Sequence, residues 1–321
     1  MKQPLINTLI ISGNGQDGAH EIPYLVPYIL PQLIHTGRQV NVLSRALSPQ
    51  YILPVGANYI SGDYADKSLI SALLKRHQEV IHLDYVSVPN NVNSNSLEDL
   101  FKNLPPTVQL FAEAADRDVK LLLVSTGGMI YGETSELPIP ETHPTKPISH
   151  YGLTKLTIEN YAHLYAATRG LKLICVRPSN VYGLGQLPFV GQGFIATAIA
   201  SAMRGMPIKV FGARGTIRDY IYVSDLASGI VSALMHGHLS ETYNLGFGVG
   251  LSNLDVINVL KSLMYEIGCE VQVEHFPEQG FDVKANVLNS IKIQAHTGWQ
   301  PKIEFEDGMR RTCEWLKIAD K

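Results

Sequence analysis

The 321-residue sequence predicts an α/β fold: a doubly wound parallel sheet with a smaller, interleaved C-terminal α/β domain. Three observations carry this expectation. Short apolar runs recur at Leu9-Ile11, Val40-Leu43, Val80-Leu83, Leu121-Val124 and Leu173-Val176, and helix-compatible segments separate them. Runs that are apolar throughout, rather than alternating, suit strands buried on both faces, as in a parallel sheet. The first run leads directly into a glycine-rich turn, Ser12-Gly13-Asn14-Gly15-Gln16-Asp17-Gly18.

After Pro178 the rhythm loosens into a glycine-containing stretch, Tyr182 to Gly193, followed by a helix-like segment from Phe194 to Arg204. Arg218-Asp219-Tyr220-Ile221-Tyr222-Val223 returns to strand character, and from Leu251 the order reads helix, strand, loop, helix. No internal repeat is visible. We therefore assign 1–178 and 219–246 to the sheet domain and 179–218 and 247–321 to the smaller one, the two sharing a cleft.

Composition narrows the functional classes. A net charge of −3 without a basic run argues against nucleic acid as a partner. Cys175, Cys269 and Cys313 are widely spaced and outside any CxxC pattern, which argues against a disulfide framework and against a zinc site. Leu5 to Ile11 is too short an apolar run for a signal peptide or a membrane span. A reducing, cytoplasmic setting without membrane attachment is expected.

Gly13, Gly15 and Gly18 would let the backbone approach a pyrophosphate, with the following helix offering its positive end. Pro23, Pro27 and Pro31 disturb that helix, since each removes a hydrogen bond at about 3 kcal/mol in a helix interior. The helix is expected to be delayed, broken or partly loop. At the end of the second strand, where an acid would accept the ribose hydroxyls of NAD, stand Ser44 and Arg45. A guanidinium there suits the 2′-phosphate of NADP(H), and equally a solvated position at the start of a loop. Further on, in Gly62-Asp63-Tyr64, Asp63 suits either a helix N-cap or a hydrogen bond to an adenine amino group.

The chemical centre is His150-Tyr151-Gly152-Leu153-Thr154-Lys155, whose spacing places Tyr151 and Lys155 on one helix face. A free phenol titrates near about 10, so tyrosine becomes a useful base only when a neighbouring cation favours the phenolate. Such a tyrosine can move a hydroxyl proton while hydride passes to or from a nicotinamide. Upstream, Val124-Ser125-Thr126-Gly127-Gly128 ends a strand in a glycine turn with two hydroxyls. These suit either a reacting sugar oxygen or backbone groups at the strand end.

Taken together, these motifs resemble the extended short-chain dehydrogenase/reductases, specifically the NAD-dependent nucleotide-sugar epimerase/dehydratase group. The resemblance covers nearly the whole chain. It rests on the glycine loop, His82-Leu83, Ser125-Thr126 with Tyr131-Gly132, the Tyr151/Lys155 pair, Arg177-Pro178-Ser179-Asn180-Val181-Tyr182-Gly183 and Arg218-Asp219-Tyr220-Ile221. It implies a Rossmann-type domain at 1–178 and 219–246, a nucleotide-sugar domain at 179–218 and 247–321, a homodimer, and NAD or NADP(H) as cofactor. It also implies Thr126, Tyr151 and Lys155 as the catalytic set. Gly13, Gly15, Gly18, Ser44, Arg45, Asp63, Tyr64, Leu83, Pro178 and Val181 would join Tyr151 and Lys155 on the cofactor. Asn180, Gln192, Arg218, Gln279 and Asp282, with Thr126, would face a nucleotide-diphosphate sugar. Without the family, Arg218 reads equally as a surface partner of Asp219 or Asp225.

Four departures stand out. Gly127 occupies the position of the usual catalytic Ser or Thr, which moves that role to Thr126. Asp84-Tyr85 replaces an alanine pair, Gln279 replaces an arginine of the diphosphate clamp, and Gly127-Gly128 replaces the acidic pair of dehydratases. Dehydration is therefore disfavoured. The leading expectation is 4-epimerisation, with NADPH-dependent reduction of a 4-keto-6-deoxy sugar as the alternative and a catalytically silent dinucleotide-binding protein as the third reading.

Overall fold

The computed structural model describes residues 5–13, 23–86, 96–190, 193–278 and 283–319. The strands of its first half are β1 (Asn7–Ile11), β2 (Gln39–Ser44), β3 (Ala57–Ser61), β4 (Glu79–His82), β5 (Lys120–Val124) and β6 (Lys172–Pro178). Those that follow are β7 (Asn180–Tyr182), β8 (Ile208–Phe211), β9 (Ile217–Tyr222), β10 (Glu241–Leu245), β11 (Gly250–Ser252), β12 (Val273–Phe276) and β13 (Ala285–Asn286). Seven of them pair in parallel in the order β10-β6-β5-β4-β1-β2-β3.

The two-residue period of a strand sends alternate side chains to opposite faces, and both faces are apolar here. Ile10, Val42, Ile81 and Leu122 point toward α1 (Val26–His35) and α6 (Val223–His236). Leu9, Leu43, Val80 and Leu121 point the other way, toward α2 (Lys67–Leu74), α3 (Ser96–Asp116) and α4 (His150–Arg169). Helices thus cover both sides of the sheet, which is the expected doubly wound, Rossmann-type arrangement. All five apolar runs became strands. β3 and β10 were not anticipated, because ANYIS and ETYNL mix polar with apolar residues.

The proline pattern behaves only partly as expected. A 3₁₀ turn at Pro23–Leu25 delays the helix, which begins at Val26. Pro27 lies in its first turn, where an amide would have no helical partner anyway. Pro31 lies within α1 but on its exposed side, so the helix is delayed and not broken.

A second sheet centres on β9, which pairs in parallel with β7 and β13 and antiparallel with β11. β8 pairs with β12. Around these strands pack α5 (Phe194–Met203), α7 (Asn253–Tyr265) and α9 (Phe305–Ala319), while α8 (Ile291–Thr297) packs on α6 and β10. Because β7 follows β6 after one residue, the second sheet begins beside the carboxyl edge of the first, where α/β folds gather their ligands.

Candidate active site

Helix α4 carries the Tyr/Lys pair, and its position is fixed at two points. Ser149 caps it by accepting the Gly152 amide at 3.1 Å. One turn beyond Lys155, buried Glu159 accepts from Nε of Arg177 on β6 at 3.1 Å. The other face of that guanidinium donates to Tyr131 Oη at 2.8 Å, and Tyr131 donates to Asn244 Oδ1 at 2.7 Å. Two residues of the motifs singled out in the sequence, Tyr131 and Arg177, therefore brace the helix against the sheet. Tyr151, Lys155 and Glu159 share one helix face.

Lys155 is buried, and its ammonium donates to the Val124 carbonyl at 3.4 Å. The same Nζ lies 4.1 Å from the centroid of the Tyr85 ring and 5.9 Å from that of Tyr151. The two rings meet edge to face, with centroids 5.1 Å apart. Tyr85 donates its hydroxyl to buried Asp99 at 3.0 Å, and burial with that neighbouring carboxylate keeps the phenol neutral. His82, Asp84, Tyr85, Ser125, Lys155 and Ile158 lie together around one narrow recess at this edge. Burial, assisted by the Lys155 charge, pushes the His82 imidazole down to about 3.

The glycine turn after β5 extends the pairing with β6: Ser125 N donates to Val176 O and Gly127 N to Pro178 O, both at 2.8 Å. Pro178 is buried and Val181 half-buried beside it. A Cβ on Gly128 would stand 3.4 Å from Asn180 Oδ1 and 3.9 Å from Thr126 Oγ1, so these two polar groups flank one bare stretch of backbone. A Cβ on Gly127 would come within 2.4 Å of Leu288 Cδ1, which explains why no side chain stands there. Asn286 donates to the Gly127 carbonyl at 3.0 Å and is paired in register with Arg218.

Arg218 is 7 % exposed, and one of its terminal nitrogens donates to Ile217 O at 2.9 Å. The surface-pair alternative for Arg218 is therefore corrected. Asp219 instead accepts the amides of Phe247, Gly248 and Leu288, and Asp225 those of Lys302 and Ile303.

At the opposite end of the sheet edge, Ser44 Oγ donates to Gly13 O at 3.1 Å and Leu83 N to Ile11 O at 2.8 Å. Arg45 is not freely solvated: it pairs with buried Asp84 at 3.4 Å. Asp63 is exposed and accepts the Ala65 amide at 2.9 Å, while Asp66 is the residue that caps α2, which corrects the N-cap expectation. Tyr64 is buried with its ring edge against His82. Gly15, Gly18, Gln192, Gln279 and Asp282 lie outside the described residues.

Among the described residues, the buried polar atoms without a hydrogen-bond partner along this edge include Arg45 Nε, His82 Nε2 and Ser125 Oγ. Unpaired groups of this kind, at the ends of β2, β4 and β5, fit a polar ligand laid across them. A nicotinamide dinucleotide matches that requirement. Among the described residues no cluster of His, Cys, Asp and Glu suits a metal ion, and no helix is long and apolar enough to cross a membrane.

The sequence model of the NAD dependent epimerase/dehydratase family matches residues 9–246, a span that includes the glycine loop, the Tyr/Lys pair and the Arg218 strand. The chain belongs to that family. A UDP-glucose 4-epimerase of Lactobacillus helveticus is 29% identical, with 98% of each chain covered. The structure of UDP-glucose 4-epimerase from Thermotoga maritima with UDP-glucose superposes with a TM-score of 0.86 at 27% identity, over 98% of this chain and 100% of the other. The Thermus thermophilus UDP-glucose 4-epimerase complex with NAD gives 0.83 at 28%, over 98% and 100%.

Within this epimerase/dehydratase family member, sequence reasoning missed Glu159, Asn286 and Leu288. Glu159 could have been found by extending the Tyr151/Lys155 face one further turn. Asn286 and Leu288 act through contacts more than 150 residues away along the chain, for which local pattern offers no signal.

Proposed function

We propose that this chain is an NAD-dependent nucleotide-sugar 4-epimerase that works through a transient 4-keto sugar. One observation carries the reading: Tyr151 and Lys155 share a face of α4 at the sheet edge, with the Lys155 ammonium held between the Val124 carbonyl and the Tyr85 ring. A cation fixed beside a phenol favours the phenolate, so Tyr151 takes the proton of the sugar 4-hydroxyl and returns it after the ketone has turned over. A bound dinucleotide supplies the hydride acceptor and donor, so that no net redox change results. Thr126 and Asn180 orient the sugar oxygen from either side of Gly128, and Arg218 meets the diphosphate.

Gly13, Ser44, Arg45 and Leu83, at the carboxyl ends of neighbouring strands, hold the adenosine half, with Asp63 and Tyr64 beside them. Pro178 and Val181 border the nicotinamide, and Lys155 holds its ribose. The 1–178 and 219–246 segments then serve the dinucleotide, and 179–218 with 247–321 the sugar. This division is supported by the seven-stranded sheet that takes in β1 to β6. Homodimerisation through α3 and α4 is supported by exposed Phe101, Leu153 and Leu164 on those helices. A cytoplasmic location follows from such a metabolic role. The NADPH-dependent reductase alternative loses its main support, because the guanidinium it requires is already paired with Asp84.

The test is to denature purified protein, identify the released dinucleotide by mass, and incubate native protein with UDP-glucose. Stoichiometric NAD, with appearance of the 4-epimer and no net nicotinamide reduction, is expected. NADP(H) consumed in proportion to a reduced sugar would overturn the reading.

A further inference from the structure

Strand β1 is flanked by β4 on one side and β2 on the other. Asp84 follows β4 and Arg45 follows β2, yet their side chains meet at 3.4 Å. The ion pair therefore spans the carboxyl end of β1, above the point where Ser44 Oγ anchors the Gly13 carbonyl. Its two members differ in burial. The Asp84 side chain is only 2% exposed and that of Arg45 22%, and Arg45 Nε is buried without a partner. The carboxylate is thus the fixed member, and the guanidinium keeps an unused donor.

We propose that Asp84 sets the choice between the two dinucleotides by neutralising Arg45, so that the site takes NAD and rejects NADP. The inference rests on the dinucleotide reading above. A 2′-phosphate could bind Arg45 only by displacing Asp84, which would leave a buried carboxylate with a lost ion pair and a dianion beside it. A free 2′-hydroxyl carries no charge and makes no such demand, so the pair stays intact beside it. The position after β2 accordingly presents an arginine without the phosphate preference that an unpaired arginine confers.

Calorimetric titration of the full-length protein, freed of bound dinucleotide, with NAD and with NADP tests this. Wild type should bind NAD at least about tenfold more tightly than NADP. Asp84→Asn preserves shape and should tighten NADP about tenfold or more, the size of one charge-assisted hydrogen bond, while changing NAD by less than about threefold. Asp84→Asn combined with Arg45→Gln should lose that gain, which also shows that the gain comes from the guanidinium and not from relaxed packing. An unchanged NAD-to-NADP ratio in Asp84→Asn, or a full gain in the double variant, overturns the inference and leaves the epimerase reading intact. Wild type that binds neither dinucleotide overturns both.

Discussion

The ammonium of Lys155 lies 4.1 Å from the centre of the Tyr85 ring, and that ring meets Tyr151 in an edge-to-face contact. Tyr85 thus holds both members of the catalytic pair from one side while its own hydroxyl is tied to Asp99. A cation over a desolvated aromatic face gains about 0.5–2 kcal/mol. Tyr85→Leu should therefore lower kcat by about 2- to 30-fold and displace the pH profile of kcat. Tyr85→Phe keeps the ring face and should restore most of the rate. Equal losses in both variants would show that the hydroxyl, and not the ring, matters.

Replacing Tyr151 removes the proton acceptor without touching the sheet edge. Tyr151→Phe should reduce epimerisation by about 10²- to 10⁴-fold, the usual contribution of a positioned acid–base group. Dinucleotide affinity should stay within about threefold, as measured by titration, because Lys155 and the strand ends remain. Retained turnover would remove Tyr151 from its proposed role.

How legible this site was in the sequence depends on how local each signal is. The strands of the sheet could be read because burial on both faces leaves uninterrupted apolar runs, as in KLLLV and KLICVRP. Tyr151 and Lys155 could be read because helical spacing alone puts them together. The pairing of Arg45 with Asp84 could not, since it depends on β4 and β2 both flanking β1, an order fixed only by the crossovers. Nor could the division of labour within Arg218-Asp219: one is a candidate substrate ligand, while the other accepts three backbone amides that fix the 247–248 turn and the chain at Leu288. Adjacent strand residues point to opposite faces, and nothing in the tetrapeptide says which face is the site.

The brace behind α4 can be weighed by breaking it. Glu159 and Arg177 are both buried and multiply hydrogen-bonded. Glu159→Ala leaves the guanidinium without its carboxylate and should destabilise the protein by about 3–5 kcal/mol in urea unfolding. Adding Arg177→Met removes the stranded charge and should recover part of that loss. A double variant as unstable as the sum of the singles would mean that the two residues do not act as a pair.

Gly127 and Leu288 compete for one space, given the 2.4 Å approach expected of a Cβ. Gly127→Ala should cost about 1–3 kcal/mol through overpacking. Leu288→Ala, at a fully buried position, should cost about 2–5 kcal/mol by itself. Together they should cost less than their sum by about 1 kcal/mol or more, because each relieves the other. Strict additivity in denaturant titrations would show that the chain accommodates the methyl group by moving elsewhere.

His82 makes the pH dependence testable. Its imidazole is pushed down to about 3 from an ordinary value of 6.5, first by burial and then by the nearby Lys155 charge. Well above pH 6.5 it is uncharged whether the chain is folded or not, and there this residue adds no slope. Below pH 6.5 the unfolded chain binds a proton that the folded chain refuses, so the unfolded state gains with acid until the folded pKa is reached. Stability should therefore fall on acidification through this window, by about 1.4 kcal/mol per pH unit once well below the upper limit. The carboxylates of the protein also titrate as acid is added, so the informative quantity is the difference between wild type and His82→Asn. Urea unfolding of both from about pH 8 downward should give a difference curve that is level at the alkaline end and then slopes in favour of the variant as the pH drops through 6.5. A flat difference throughout would mean that His82 takes up its proton in the folded protein, and that the recess beside Lys155 is open to water.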